Sequence, residues 1–426
     1  MDAPRSTWRR EALAGTTTFA TMAYIIVVNP KILEAAGIPF GPSVVATILS
    51  AAFGTLLMGL YARRPFAIAP YMGQNAFIAY TVVGGLGYPW QTALGAIFIG
   101  GMLFVLLSTF GGRRWLAEAI PESLKIAFAV GIGLFLAFIG LTTVGIVLPG
   151  TGGVPVRVGD FHAAGVILAA AGFGLIVLLM LRAVPGAILI GILTTAAAAF
   201  ALGLAPKPAA IVSLPPSLGP VFLELDIAAA LTWGFASVIL TIFILDLVDT
   251  IGTLVGLAYK AGMLDERGRM PGMEKALQCD ALATVAGALV GTTTSGTYIE
   301  SAAGIEAGGR TGLTAVVTAL WFLAALFFAP ILSAVPAAAY GPALVVVGML
   351  MLEPMAHFRF DDLGEVVPAF LTIALMSFTY DLGIGLTAGF LSWVLLRIAT
   401  GRAREVPGGM WALGGLSALF YIFYPY

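Results

Sequence analysis

Three carboxylates stand inside apolar stretches of helical length: Asp246 and Asp249 in FILDLVDTIGTL (Phe243 to Leu254), and Glu300 in GTTTSGTYIESAAGIEAGG (Gly291 to Gly309). The spacing of Asp246 and Asp249 places them on one helix face. A charged side chain at the centre of a span costs ~2.5 to 3.5 kcal/mol on insertion scales, so three of them imply partners or a task. A second apolar run, PFAIAPYMGQNAFIAY (Pro65 to Tyr80), carries the amides Gln74 and Asn75. Acids and amides accept or exchange hydrogen bonds, and helix N-termini add N–H donors. Tyr71, Phe77, Phe243 and Tyr298 offer flat apolar faces. The complement is a small, neutral, planar heterocycle with donors and acceptors. An inorganic anion fits poorly, because Glu300 sits where the positive helix end would have to bind it. Carboxylates that share a desolvated site cannot all stay ionised, so one of Asp246, Asp249 and Glu300 is expected to take up a proton near neutral pH. The expected coupling ion is therefore the proton, with sodium as the alternative.

The apolar context extends along the whole chain. Of 426 residues, 60% are AVILMFWYC and 10% are charged, against about 25% charged in soluble domains. The mean hydropathy is +1.01. This excludes a water-soluble globule, and Lys+Arg 21 against Asp+Glu 22 leaves no basic surface for nucleic acid. The lone Cys279 rules out a disulfide framework and is expected to be inert. Apolar runs mark seven spans between 13 and 203 and seven more between 227 and 400. The divisions are a first repeat over 1–203, an external proline-rich linker over 204–226, a second repeat over 227–400 and a hydrophobic tail over 401–426. Arg5, Arg9 and Arg10 precede the first run, which reads as an uncleaved span. With the N-terminus inside, eighteen of 21 basic residues fall on the inner side, among them Arg63, Arg64, Arg113, Arg114, Arg182, Lys260, Arg267, Arg269, Arg402 and Arg404. Lys31, Arg157 and Lys207 fall outside. The tail, with four glycines and scattered aromatics, is expected to lie at the membrane interface.

The third and tenth runs are broken alike. Pro65, Pro70 and Gly73 delay helix until about Met72, and a Thr/Gly run delays it in the tenth until about Tyr298. Both read as half-helices with extended lead-ins whose N-termini meet near the midplane, the best sequence pointer to a transporter's substrate site. The substrate-binding candidates are therefore Gly73, Gln74, Asn75, Asp246, Tyr298, Ile299, Glu300 and Ser301, with Asp246, Asp249 and Glu300 for proton coupling. AIPESLKIAFAVGIG (Ala119 to Gly133) is echoed by AVPAAAYGPALVVVG (Ala334 to Gly348). A repeat of seven spans must enter from the opposite side in its second copy, giving an all-α fold of about 14 spans in two inverted repeats.

Other constellations carry little. His162 and His357 lie far apart, and no HExxH, CxxC or GxSxG motif supports metal, cofactor or nucleophile chemistry. An intramembrane aspartyl protease would need Asp246 brought to Asp381, which follows Tyr380. Asp280, Glu306 and Asp381 are expected at span ends, as interfacial groups.

The chain resembles the AzgA-like hypoxanthine, adenine and guanine permeases, a branch of the nucleobase-cation symporters that include xanthine and uracil permeases. The resemblance runs through TTTFATMAYIIVVNP (Thr16 to Pro30), APYMGQNAF (Ala69 to Phe77), FILDLVDTIGTLVG (Phe243 to Gly256) and TYIESAAGIEAGGRTGLTAV (Thr297 to Val316). It implies a core domain that holds substrate and a gate domain that supports it. It also implies purine import with protons, no enzymatic activity, a plasma-membrane location (the inner membrane in a bacterium) and homodimers. Glu300 and Asp246 would be the main contacts to the purine, Asn75 the third-span contact, and Asp249 a coupling residue. One departure stands out: the branch commonly reads Gly-Met-Gly-Leu-Asn where this chain has YMGQN, with Tyr71 and Gln74 replacing Gly and Leu. The preferred purine stays open, and an anion or sulfate-type carrier on the same fold is the alternative within transport.

Overall fold

The computed structural model describes residues 7–109, 118–208, 210–232, 235–265 and 270–423. Arg5, Arg113, Arg114, Arg267 and Arg269, used above to orient the chain, lie outside the described residues. Among the described residues nine helices are long and apolar enough to cross a bilayer, from Trp8–Glu34 to Leu382–Ala399. Of three shorter apolar helices, Ala187–Ala201 and Leu363–Phe378, with the more polar Met273–Val290 and the interrupted third and tenth segments, bring the count to fourteen, and the last, Gly408–Ile422, follows them. The chain is a multi-pass membrane protein.

The spans pack as two bodies: one to four with eight to eleven, and five to seven with twelve to fourteen. In the second body the fifth span (Glu122–Thr143) lies against the twelfth (Ala337–Leu350). The contact is made at the two glycines that the sequence echo aligned. A Cβ on Gly133 would lie 2.6 Å from the Gly348 carbonyl oxygen, so side chains are excluded and the backbones touch. Equivalent residues of two repeats meeting each other is what a two-fold axis in the membrane plane produces.

In the first body that axis passes through a strand pair. Strand β1 (Ile68–Pro70) precedes the third half-helix, and β4 (Ser295–Thr297) precedes the tenth. They pair antiparallel with Ala69 opposite Gly296. The ladder continues symmetrically, Tyr71 N–H to the Thr294 carbonyl at 2.9 Å and Tyr298 N–H to the Ala67 carbonyl at 2.9 Å. Two strands alone leave two open edges, untenable away from water. Each is closed by a threonine of the preceding span. Thr55 accepts from Ile68 N at 2.9 Å and donates to its carbonyl at 3.0 Å, and Thr284 does the same for Ser295 at 3.1 and 2.9 Å.

Several expectations need correction. The eighth span starts at Ala236, not 227, and runs to Lys260. Residues Ile227–Ala230 form a separate short helix, capped by Asp226, whose side chain accepts from Ala229 N at 2.9 Å. Asp280 is not interfacial. It is fully buried and accepts from Thr297 N at 3.2 Å and Thr297 Oγ1 at 2.8 Å, helping to hold β4. Asp381 is likewise buried, capping the fourteenth span through Gly383 N at 2.7 Å and Ile384 N at 3.3 Å, so it is committed to structure rather than to a catalytic pair. The tail does not lie flat at an interface. Helix Gly408–Phe423 runs antiparallel along the fourteenth span, with Gly414 against Val394 and the Tyr421 hydroxyl on the Ile384 carbonyl at 3.0 Å, because Met410, Leu413 and Phe420 find an apolar groove there. The hairpin of β2 (Val147–Pro149) and β3 (Val156–Val158) after the fifth span was not anticipated.

Candidate functional site

The third half-helix starts at Met72, directly after β1. Pro70 cannot continue the ladder as a donor, and Gly73 allows close approach: its missing Cβ would be 3.7 Å from the Ile132 Cβ of the fifth span. After Ala76 the segment widens into a π-helix, Phe77–Gly85, a feature often found at functional sites. The tenth half-helix is Ser301–Glu306, with Glu300 as the residue before its first turn. Tyr71 and Tyr298, equivalent in the two repeats, lie with nearly parallel rings, 6.1 Å between centroids and 10° between planes.

Between the two bodies of spans lies an open cavity of about 1280 Å³. Its walls come from the first, eighth and tenth spans on one side and the fifth, seventh and twelfth on the other. Asp249, Ile299 and Glu300 line it, as do Lys125, Lys260, Glu306 and Glu353 near the ends of their helices. Lys260 and Glu306 pair at 2.6 Å. Among the described residues neither Asp249 nor Glu300 has a Lys or Arg partner. Glu300 Oε1 accepts from the Tyr24 hydroxyl of the first span. Asp249 Oδ2 accepts from Gln74 Nε2 at 3.4 Å.

The remaining candidates divide differently from the sequence expectation. Asn75 does not line the cavity. Its amide donates to Asn29 and its carbonyl accepts from Thr293, inside a buried polar network in which Asn29 also donates to Thr47 at 2.7 Å and Thr292 at 3.1 Å. Ser301 and Tyr298 serve β1, Ser301 accepting from Ala67 N at 2.9 Å and Tyr298 donating to the Pro70 carbonyl. Gly73 and Gln74 are buried behind the cavity wall. Asp246 is fully buried one turn before Asp249 and accepts from Thr250 at 3.5 Å. The cavity-facing pair of acids is thus Asp249 and Glu300 rather than Asp246 and Glu300. Two residues of one helix face, Asp246 and Asp249, can still differ by a turn in depth, and that depth was not readable from spacing.

Sequence reasoning gave no role to Tyr24, Asn29, Thr55, Thr284 or Thr293. Tyr24 and Asn29 fall within the Thr16 to Pro30 motif, where a polar side chain amid aliphatic residues was the available signal. Thr55 and Thr284 carried none, since Thr in an apolar helix usually bonds its own backbone four residues back, whereas Thr293 lies in the Thr/Gly run already read as extended.

A bundle of two inverted repeats, with interrupted spans meeting at a strand pair and acids lining a cavity between two bodies, is the architecture of a membrane carrier. The Permease family, that of the xanthine/uracil permeases, matches residues 9–395, and the chain belongs to that family; it is a permease, not an enzyme. Among its relatives are the adenine permease AdeQ of Escherichia coli, 42% identical over 94% of this chain and 90% of that one, and the guanine/hypoxanthine permease PbuG of Bacillus subtilis, 40% identical over 98% and 97%. The fold is shared with the transmembrane domain of the bicarbonate transporter BicA from a cyanobacterium, with TM-score 0.67 and 16% identity, covering 89% of this chain and 97% of that one.

Proposed function

We propose that this permease imports purine nucleobases, such as hypoxanthine, adenine or guanine, across the plasma membrane by proton symport. The observation that carries the reading is the pair Asp249 and Glu300 lining one cavity without a cationic partner among the described residues. Two acceptors in a site partly removed from water suit N–H donors of a neutral heterocycle, and they repel an anion. The names of relatives at 40–42% identity support the purine. Coupling falls to protons because an acid in such a site can be neutralised by one. The eighteen-to-three distribution of basic residues supports cytoplasmic flanks for the fourteen spans and an external 204–226 linker, and on that orientation the cavity end carrying Lys125 and Lys260 faces inward.

A panel uptake assay in cells lacking their own carriers tests the reading. Labelled hypoxanthine should enter and be competed by adenine or guanine, with uracil and sulfate ineffective. Saturable sulfate uptake with no purine uptake would replace it with the anion carrier.

A further inference from the structure

The two cavity acids are held in the same way. Glu300 gives Oε1 to the Tyr24 hydroxyl, and Asp249 gives Oδ2 to the Gln74 amide. No other residue's hydrogen bond reaches Glu300 Oε2 or Asp249 Oδ1 among the described residues, and neither atom is among the buried unpartnered ones. Each carboxylate thus has one oxygen tethered by a side chain of the core body while the residue lines the cavity, and Glu300 also meets its own backbone N–H.

Packing alone does not explain Gln74. It is fully buried, and its Oε1 finds no donor among the described residues. Leaving a buried carbonyl unpaired is costly, so the placement is compensated by what the other end of the amide does. That end reaches only Asp249. Tyr24 is also fully buried, with its hydroxyl spent on Glu300.

We infer that Tyr24 and Gln74 are positioning residues that set the orientation of the two cavity carboxylates, so that the site selects planar ligands presenting two N–H donors to separate acceptors. The inference rests on the purine reading and narrows it to a donor pattern. The tethers act through the acids and do not touch the ligand. Other ionisable groups near Asp249 are Asp246 on its own span, Tyr71 on the third and Tyr298 on the tenth; Glu300, Lys125 and Lys260 share the cavity. Among the described residues Tyr71, Tyr298 and Lys260 spend their donors elsewhere, on Thr297, Pro70 and Glu306.

The test is equilibrium binding to purified full-length protein in lipid nanodiscs. The ligands are hypoxanthine, 1-methylhypoxanthine and 9-methylhypoxanthine, each methyl removing one N–H donor. Native protein should lose roughly 10-fold or more for either methyl, the scale of a hydrogen bond to a charged acceptor. In Gln74→Met the penalty for one methyl should shrink several-fold while that for the other persists, and Tyr24→Phe should show the converse. Should Gln74→Met not fold, Gln74→Asn, whose amide falls one methylene short, makes the same comparison. Equal loss of all three ligands in both variants, the signature of a merely structural role, overturns the inference and leaves the purine reading standing. Native protein that binds none of the three ligands overturns both.

Discussion

Glu300 and Asp249 are the residues on which the account turns. Glu300→Ala should reduce hypoxanthine binding at least 10-fold, because it removes a cavity acceptor and leaves the Tyr24 hydroxyl buried without its partner. Titration calorimetry on folded protein checks this, and unchanged affinity would remove Glu300 from the site. Asn75→Ala should behave otherwise. Its network joins the first and third spans to the hydroxyls of Thr292 and Thr293, so the loss should appear as stability, about 1–3 kcal/mol, with affinity of the folded fraction nearly unchanged. Thermal unfolding with and without hypoxanthine separates the two outcomes. The sequence picked out the acids because charge in an apolar run is conspicuous. It did not tell cavity-facing Asp249 from buried Asp246, since both lie on one helix face and depth depends on the neighbouring spans.

At the scale of elements, the extended lead-ins are the part most legible in advance, while their pairing as strands and the partners that close them were not. Pro65, Pro70 and the Thr/Gly run announce extended backbone before two half-helices, and both are present. What closes the strands was invisible: Thr55 and Thr284 look like ordinary helix residues until folding brings them to Ile68 and Ser295. Replacing either by Val keeps the shape and removes a hydroxyl that satisfies one strand N–H and one carbonyl. Each variant should lower stability by about 1–3 kcal/mol, and an unaltered melting temperature would show that the edges are otherwise satisfied. The π-helical turns at Phe77–Gly85 had no forewarning, as their residues read as plain apolar helix.

For the whole molecule, carriage of solute requires the two bodies of spans to move relative to one another. The third half-helix meets the fifth span at Gly73 and Ile132, where Cβ atoms would be 3.7 Å apart, within disulfide range. Oxidised Gly73→Cys/Ile132→Cys protein should stop transporting, and reduction should restore it; continued transport with the bridge verified by mass spectrometry would show that this contact does not slide. Topology is checked in parallel by a membrane-impermeant thiol reagent. Ser217→Cys, exposed in the linker, should label in intact cells, whereas native Cys279 is buried and should stay silent. Failure of Ser217→Cys to label would place the linker on the inner side and reverse the direction in which the cavity opens.

The most direct measurement is accumulation of labelled hypoxanthine by proteoliposomes holding only this protein, under imposed gradients. A neutral purine gains nothing from the membrane potential, whereas a cotransported proton contributes about 2.3 kcal/mol per 100 mV, and each unit of pH gradient adds about 1.4 kcal/mol. Uptake should therefore be concentrative and faster at an external pH of about 5 to 6 than at about 8, because more of the outward-facing acid is then protonated. It should collapse with a protonophore, and Asp249→Asn should reduce accumulation more than binding. Accumulation that persists after both the proton gradient and the potential are dissipated, or that appears only with a sodium gradient, would contradict proton symport.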